Sequence, residues 1–411
     1  MIEVIIKDAL TMTNAKKSSW KTPNVWGFSL ASLFSDLGHE MVTALLPGFL
    51  LSIGAPPIAL GLIEGVSNWA QSLASIWGGL QADRNPHRNR IVFWGYVLTG
   101  IKALIAIVAF WPWLILLRTV AWLGRGARGP IRNTFIAEEV SPQDRGKAFG
   151  FREMFDTLGA VAGPLLATFL LTYTSYRTLI AWSVVPAIIT VLVIAKWVHD
   201  PSPIPPSTAD RVGTADRIPW PPAFHRLRWA VLAFSAGYLA PTFFILRVIT
   251  SHPPYALGLR PAVLALALYT VHNIAYALGS YPAGVWSDRK NGKTVLTSGS
   301  VLWTLVLIGF LLTHNNILMW TVLFIGSGLA TALIETGQKT WAVHIIPTPV
   351  RGKGLGQIAG LGGIGQLAAS GVAGILWTWV SPASAFGATA VLAGVGSVLF
   401  AWTTAPPYRD V

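Results

Sequence analysis

The chain has 411 residues, of which 53% are hydrophobic and only 11% charged, with a formal net charge of +13. Its mean hydropathy of +0.55 lies far outside the balance of a soluble domain and points to a chain that lives in lipid. The positive charge is spread along the sequence and forms no concentrated basic face, which excludes a nucleic-acid partner; the lack of cysteine excludes disulfides, thiolate metal sites and iron–sulfur clusters.

Residues 1–24 form a polar, basic tail with no apolar core of the kind a cleavable signal peptide needs. Apolar runs of roughly 20 residues then recur, each long enough to cross a hydrocarbon core of ~30 Å as a helix. They fall at 25–52, 56–82, 91–110, 112–136, 147–173, 177–197, 226–250, 259–287, 294–313, 316–344, 354–379 and 382–404. The pattern predicts an all-α membrane protein of twelve transmembrane helices. Between the sixth and seventh runs, residues 198–225 carry Pro201, Pro203, Pro205, Pro206, Pro219, Pro221 and Pro222 among polar residues and read as a cytoplasmic linker. It separates a six-helix bundle over 25–197 from a second over 226–404, with a short tail at 405–411. Lys16, Lys17, Arg84, Arg88, Arg90, Arg145, Lys147, Arg289, Lys290, Lys293, Arg351 and Lys353 fall on the side of the termini, against Arg177, Arg247 and Arg260 on the other. Positively charged loops resist translocation, so both termini are expected to be cytoplasmic. Trp111, Trp113, Trp197, Trp229, Trp320, Trp377 and Trp379 lie near run ends and read as interfacial anchors.

The chain repeats itself. Gly79-Leu80-Gln81-Ala82-Asp83-Arg84 returns as Gly284-Val285-Trp286-Ser287-Asp288-Arg289, an offset of 205, and Arg145-Gly146-Lys147 returns as Arg351-Gly352-Lys353, an offset of 206. Gly150 and Gly159 map to Gly356 and Gly365 in the same register. An even number of spans per half gives the halves parallel topology about an axis along the membrane normal.

The Gly79-x-x-x-Asp83-Arg84 loop, followed by Arg88 and Arg90, resembles the signature loop of the major facilitator superfamily, and its weaker copy from Gly284 to Lys293 fits too. An Asp and an Arg in a short loop at the inner face can cap helix ends and pair across the bundles, stabilising one access state. The resemblance therefore implies gating roles for Asp83 and Arg84, with Asp288 and Arg289 as their counterparts. Gly150-x8-Gly159-x3-Gly163-Pro164 is similar to the fifth-span pattern of the family's drug/proton antiporters, except that Ala167-Thr168 replaces the closing glycine pair. Small residues allow close helix packing and Pro164 frees a backbone carbonyl. Arg118 with Gly124 and Gly126 is similar to an Arg-plus-Gly motif that the family associates with proton coupling. Arg118 to Arg132 together with Gly150 to Pro164 resembles a prokaryotic branch variously linked to drug or metal efflux, which implies the prokaryotic cytoplasmic membrane as the location.

Ionised groups at mid-bilayer cost about 2.5–3.5 kcal/mol each, so buried ones are paired, hydrated or functional. The first six spans hold Asp36, Glu40, Glu64, Glu153 and Asp156 against Lys102, Arg118, Arg125, Arg128, Arg132 and Arg152; the last six offer mainly Glu335 and Lys339. Asp36 and Glu40 share a helix face with His39 beside them, and Arg118, Arg125, Arg128 and Arg132 form one stripe that cannot face lipid. At ~1.5 Å per residue, Glu64 lies level with Arg118 about 10 Å below the outer face. Arg125 lies level with Asp156, and Arg128 and Glu153 slightly nearer the cytoplasm. Static ion pairing or support of the cytoplasmic gate are both open for Arg128, Arg132, Arg152 and Glu153. Substrate or proton coupling is the expectation for Asp36, His39, Glu40, Glu64, Arg118, Arg125 and Asp156. Lys102 and His272-Asn273 are expected to complete a site between the halves, although a lone buried His is more often structural.

Asp36, His39 and Glu40 are metal-donor types within one turn, but one turn rarely completes a metal site, so no metal and no cofactor are expected. Gly360-x-Gly362-x-x-Gly365 matches a dinucleotide fingerprint but sits inside a span with no preceding strand and reads as helix packing. The expected function is secondary active transport of a small molecule or ion by a monomer in the bilayer, through proton-coupled export. Uptake or facilitated diffusion by the same fold stays open, as does a transport-inactive sensor. A membrane enzyme lacks a nucleophile or metal triad here.

Overall fold

The computed structural model describes residues 20–200 except 86 and 142, residues 220–251, and residues 259–403 except 314, 348 and 349, with the side chains of Asp83 and Arg84 also outside the description. Most of the expected N-terminal tail, the proline-rich linker and the C-terminal tail therefore fall outside the described residues. Every regular element among those described is helical. In chain order they are α1 (Pro23–Ser52), α2 (Pro57–Arg84), α3 (Arg88–Gly100) continued by a 3-10 segment Ile101–Ile107, α4 (Pro112–Glu139), α5 (Arg145–Leu170), α6 (Tyr176–Trp182) and α7 (Val184–Trp197). Then follow α8 (Pro222–Ser235), α9 (Thr242–Thr250), α10 (Pro261–Arg289), α11 (Gly292–Leu312), α12 (Ile317–Ile345), α13 (Arg351–Trp379) and α14 (Pro382–Trp402).

The sequence signals these starts. Pro occupies the first helical position of α1, α2, α4, α8, α10 and α14, where its missing N–H is no loss. The side chains of Thr22, Ser175, Asn291, Asn316 and Ser381 cap α1, α6, α11, α12 and α14. Among the described residues, seven spans are long and apolar enough to cross a membrane by length and composition alone: α3 with its 3-10 extension, α6–α7, and α10 to α14. The others of similar length, α1, α2, α4 and α5, carry the buried charges that lower their hydropathy. Leu165 and Phe169 on α5, Leu192 on α7, Leu305 on α11 and Val391 on α14 are exposed, so the outer surface is apolar as a lipid-facing one must be.

Two expectations fail here. The predicted continuous span at 226–250 is broken between α8 and α9, where Ala236 to Pro241 leave the helix; Gly237 and Pro241 are the residues that permit it. Trp320 and Trp377, expected at the interface, are buried at 1% and 7% exposure. Trp377 packs against Phe243 and Phe386 instead.

Helices pack chiefly within α1–α7 and within α8–α14, and the two sets meet mainly through α2 on α13, α5 on α10 and α1 on α9. We call the end where α1 begins and α2 finishes the near face and the opposite end the far face. At the far face, a core around Leu45, Phe49 and Ile63 is continuous with one around Phe243, Trp303 and Phe324. At the near face Val25, Phe28, Tyr96, Phe135 and Ile194 form a separate core within α1–α7. The sets are thus joined at the far face. Between α2 and α13 a Cβ on Gly374 would stand 2.9 Å from Ile58 Cα, and Ile58 N donates to Thr378 Oγ1 at 2.9 Å. Nearer the other face a Cβ on Gly360 or Gly356 would meet only the tip of Ile76, at 3.4 and 3.7 Å, and around Gly146, Gly150, Gly284 and Gly352 there is open space.

Candidate functional site

The arginine stripe of α4 faces inward, onto α1 and α2. Arg118 Nη2 donates to Glu64 Oε1 at 2.7 Å, with the two residues 1% and 3% exposed. The Arg118 guanidinium lies over the Trp122 ring, 4.0 Å from its centroid, and Trp122 Nε1 donates to Asn68 Oδ1 at 3.0 Å. Two turns further along, Arg125 Nη1 and Nη2 donate to Asp36 Oδ1 and Oδ2 at 2.8 and 3.4 Å. Arg128 Nη2 donates to Ser35 Oγ at 2.9 Å above the Tyr96 ring, and Arg132 Nη1 donates to Ser32 Oγ at 3.0 Å. In hydrocarbon such donors must be satisfied within the protein; α2 supplies the carboxylate for Arg118, and α1 a carboxylate or hydroxyl for each of Arg125, Arg128 and Arg132.

Equal height along the helices corresponds to an ion pair for Glu64 and Arg118 but not at the other levels. Arg125 binds Asp36 rather than Asp156, whose carboxyl is a near neighbour of Asp36 and accepts from Arg152 Nη1 at 3.3 Å. Glu153 pairs with Arg152, not Arg128. The cause is rotation about the helix axis, which a height alone does not specify.

The acids of α1 diverge. Glu40 Oε2 accepts from Tyr269 on α10 at 2.8 Å, while His39 packs against Trp122 at 4.5 Å between ring centroids and approaches Glu40 Oε1 at 3.6 Å. Asp36, His39 and Glu40 therefore point to three different partners. A second link between the sets grows out of Pro164: having no N–H, it leaves the Ala160 carbonyl without its helical donor, and Asn273 Nδ2 of α10 donates to that carbonyl at 3.1 Å.

Two cavities follow from this arrangement. The first, about 230 Å³, is walled by His39, Glu64, Arg118, Trp122, Tyr238 and Tyr269 and by the broken segment at Ala240 and Pro241. Irregular backbone at membrane depth is tolerated where it lines a cavity, which accounts for the position of that break. The second, about 160 Å³, lies nearer the near face among Asp36, Ser75, Arg128, Arg132 and Asp156. Gln71 and Arg125 line both, so the Arg125–Asp36 pair stands between them.

Lys102 and His272 are not part of either wall. Lys102 is buried behind α1, its Nζ 3.4 Å from the Ser35 carbonyl, and His272 bonds Ser327 Oγ at 2.7 Å inside α8–α14 while stacking on Tyr269. Lys102 and His272, expected to help complete a site between the halves, thus line neither cavity, and the larger one is walled instead by Arg118, His39 and the tyrosines. Tyr238, Tyr269, Trp122 and Gln366 were not foreseen, since an aromatic or amide in an apolar run carries no mark of which way it points.

Asp83 and Arg84 sit on the last turn of α2, and Asp288 and Arg289 are exposed at the end of α10. Next to that loop Arg88 forks onto Glu138 at 2.9 and 2.7 Å and onto the Ala82 carbonyl at 3.1 Å, tying the α2–α3 turn to the end of α4. At the start of α5, outside the spans, the hydrogen bond from Lys147 holds the Asp144 carboxyl below its ordinary range. Of the glycines in the fifth-span pattern, Gly159 and Gly163 meet the backbone of α1 at Leu33 and Leu37, whereas Gly150 faces open space. Gly360, Gly362 and Gly365 face Ile76 and Ser235, contacts of helix packing.

This arrangement has relatives. An uncharacterised MFS-type transporter of Methanocaldococcus jannaschii is 27% identical over 381 residues, covering 92% of this chain and 94% of that protein. A probable 4-methylmuconolactone transporter of Cupriavidus pinatubonensis is 24% identical over 389 residues, covering 92% and 87%. Among solved structures the nucleoside transporter NupG shares the fold with a TM-score of 0.72 at 14% identity, over 92% of this chain and 98% of that one. The family model of the Major Facilitator Superfamily matches residues 28–267 and 242–411. The chain belongs to the Major Facilitator Superfamily: it is an integral membrane transporter, not an enzyme, of the kind that moves a small solute across a membrane by alternating access.

Proposed function

We propose that the chain is a secondary transporter of a small polar organic solute, built as two six-span bundles over 25–197 and 226–404 joined by the cytoplasmic linker 198–225. On this reading it works in the prokaryotic cytoplasmic membrane with both termini inside. The near face is then cytoplasmic, and the closed far face with an open near face corresponds to an inward-facing state. The observation that carries the reading is the polar cavity between the two helix sets, where buried ion pairs of one set meet tyrosines of the other.

Asp36, His39, Glu40, Glu64, Arg118, Arg125 and Asp156 are proposed to serve substrate and proton coupling. A proton arriving at Asp36 or Asp156 would loosen the Arg125 clamp between the cavities and let the bundles rock. Lys102 and His272 support this site from behind, holding α1 and Tyr269. Asp83, Arg84, Arg128, Glu153, Asp288 and Arg289 are proposed to govern the cytoplasmic gate.

For direction, uptake by symport or facilitated diffusion is favoured over export. A relative matched over nearly its whole length and a structure of the same fold are named for single small organic solutes. The cavity is smaller than the roughly 300–1,000 Å³ of drug-sized sites, and the antiporter pattern in α5 is incomplete. The test is solute accumulation in proteoliposomes under an imposed proton gradient. An inward-directed gradient is expected to drive accumulation, and Asp36→Asn to abolish it while solute exchange continues. Accumulation untouched by collapse of the gradient would remove the proton from the mechanism.

A further inference from the structure

We infer that the cavity around Arg118 binds a small organic anion, a compact monocarboxylate held by an unpartnered N–H of that guanidinium. The inference rests on the transport reading above and names its substrate class.

Arg118 uses one nitrogen, Nη2, on Glu64, and Trp122 covers one face of its plane. Its Nε and Nη1 are buried with no acceptor, on a residue that lines the cavity. Leaving charged donors unsatisfied in a buried site is costly, and each of the two is an in-plane N–H that one carboxylate oxygen can accept from, while both two-pronged edges of the guanidinium include Nη2. The other buried, unpartnered polar atoms on the same wall are His39 Nδ1, Thr43 Oγ1, Thr242 Oγ1 and Ser370 Oγ. Hydroxyls both donate and accept, and the imidazole nitrogen does either according to its tautomer. The two Arg118 N–H groups can only donate, so an acceptor is what they lack.

A cationic ligand would need the reverse. The carboxylates nearest the cavity are engaged, Glu64 by Arg118, Asp36 by both terminal nitrogens of Arg125 and Glu40 by the Tyr269 hydroxyl. Tyr269 is committed to Glu40 and Tyr238 lies 3.3 Å from Thr331 Oγ1, so their rings rather than their hydroxyls face a ligand. A volume of about 230 Å³ flanked by Trp122, Tyr238 and Tyr269 suits a short chain or a single small ring beside the carboxylate.

The test is a thermal-shift titration of the purified chain in lipid nanodiscs with acetate, propionate, benzoate and cyclohexanecarboxylate, set against benzamide and benzylamine. At least one carboxylate is expected to stabilise the protein, with benzamide weaker by about tenfold or more and benzylamine without effect. Arg118→Gln is expected to remove the carboxylate shift. Glu64→Gln, which releases Nη2, is expected to keep or strengthen it, and gives an independent reading should Arg118→Gln fail to fold. Equal stabilisation by benzamide or benzylamine, no response to any of the carboxylates, or loss of the response in a folded Glu64→Gln protein would each overturn the anion assignment. Counterflow with a mixed pool of nucleosides, sugars, amines and carboxylates separates this from the broader reading. Exchange of neutral or cationic solutes alone ends the anion assignment and leaves transport standing, whereas no exchange of any solute ends the transport reading.

Discussion

Removing one member of a buried ion pair is not half of removing both. Glu64 and Arg118 are 3% and 1% exposed and lie 2.7 Å apart. Arg118→Ala leaves a buried carboxylate with its principal partner gone, and a loss of about 3–5 kcal/mol is expected. The double variant Glu64→Gln with Arg118→Gln carries no net charge into the site and is expected to lose clearly less. Melting temperatures of the single and double variants in one detergent measure this; a double variant that loses the sum of the single losses would mean that the two charges do not act as a pair. That Glu64 and Arg118 meet was legible in the sequence, because height along two helices is nearly fixed by residue count. That Arg125 chooses Asp36 over Asp156 was not, because both acids stand near its level and only helix rotation separates them. The aromatic wall was hidden for a related reason: Tyr269 and Trp122 sit in runs as apolar as those of Trp229 and Trp379, which face outward at 65% and 68% exposure.

At the scale of the helices, apolar run length located the spans but concealed their interruptions. The stretch 229–246 carries no charge, and only Gly237 and Pro241 hint that the chain leaves the helix beside the cavity. Pro164 was readable as a residue that frees a carbonyl; its recipient, Asn273, lies in the other helix set and no local pattern names it. That bond makes a definite epistasis. With Pro164 in place, Asn273→Ala strands the Ala160 carbonyl and is expected to cost about 1–3 kcal/mol. With Pro164→Ala the new N–H takes the carbonyl back into α5, and Asn273→Ala should then cost much less. A double-mutant cycle on unfolding stability is expected to give a coupling of at least about 0.5 kcal/mol. Additive losses would mean that Asn273 does not substitute for the missing helical donor.

At the scale of the whole molecule, the joined far face and the open near face define which contacts must break and which must form if the two sets rock. Ile58 on α2 bonds Thr378 on α13 at the far face. On the other interface α5 and α10 run antiparallel with Ala160 level with Asn273, so about ten residues along α5 and eleven along α10, roughly 15 Å away, Gly150 comes nearly level with Gly284, and both face open space. The chain contains no cysteine, so paired cysteines can be introduced without background. Ile58→Cys with Thr378→Cys is expected to cross-link readily on oxidation and to stop transport until reduced. Gly150→Cys with Gly284→Cys is expected to cross-link slowly in the present state and faster whenever solute or an imposed gradient favours the alternate one. With all four cysteines present, each disulfide should suppress the other, because one set of helices cannot be closed at both faces and still exchange access. Wild-type transport by a protein fully cross-linked at 58 and 378 would remove the α2–α13 contact from the moving parts, and high yields of both disulfides in one molecule would contradict the rocking motion itself.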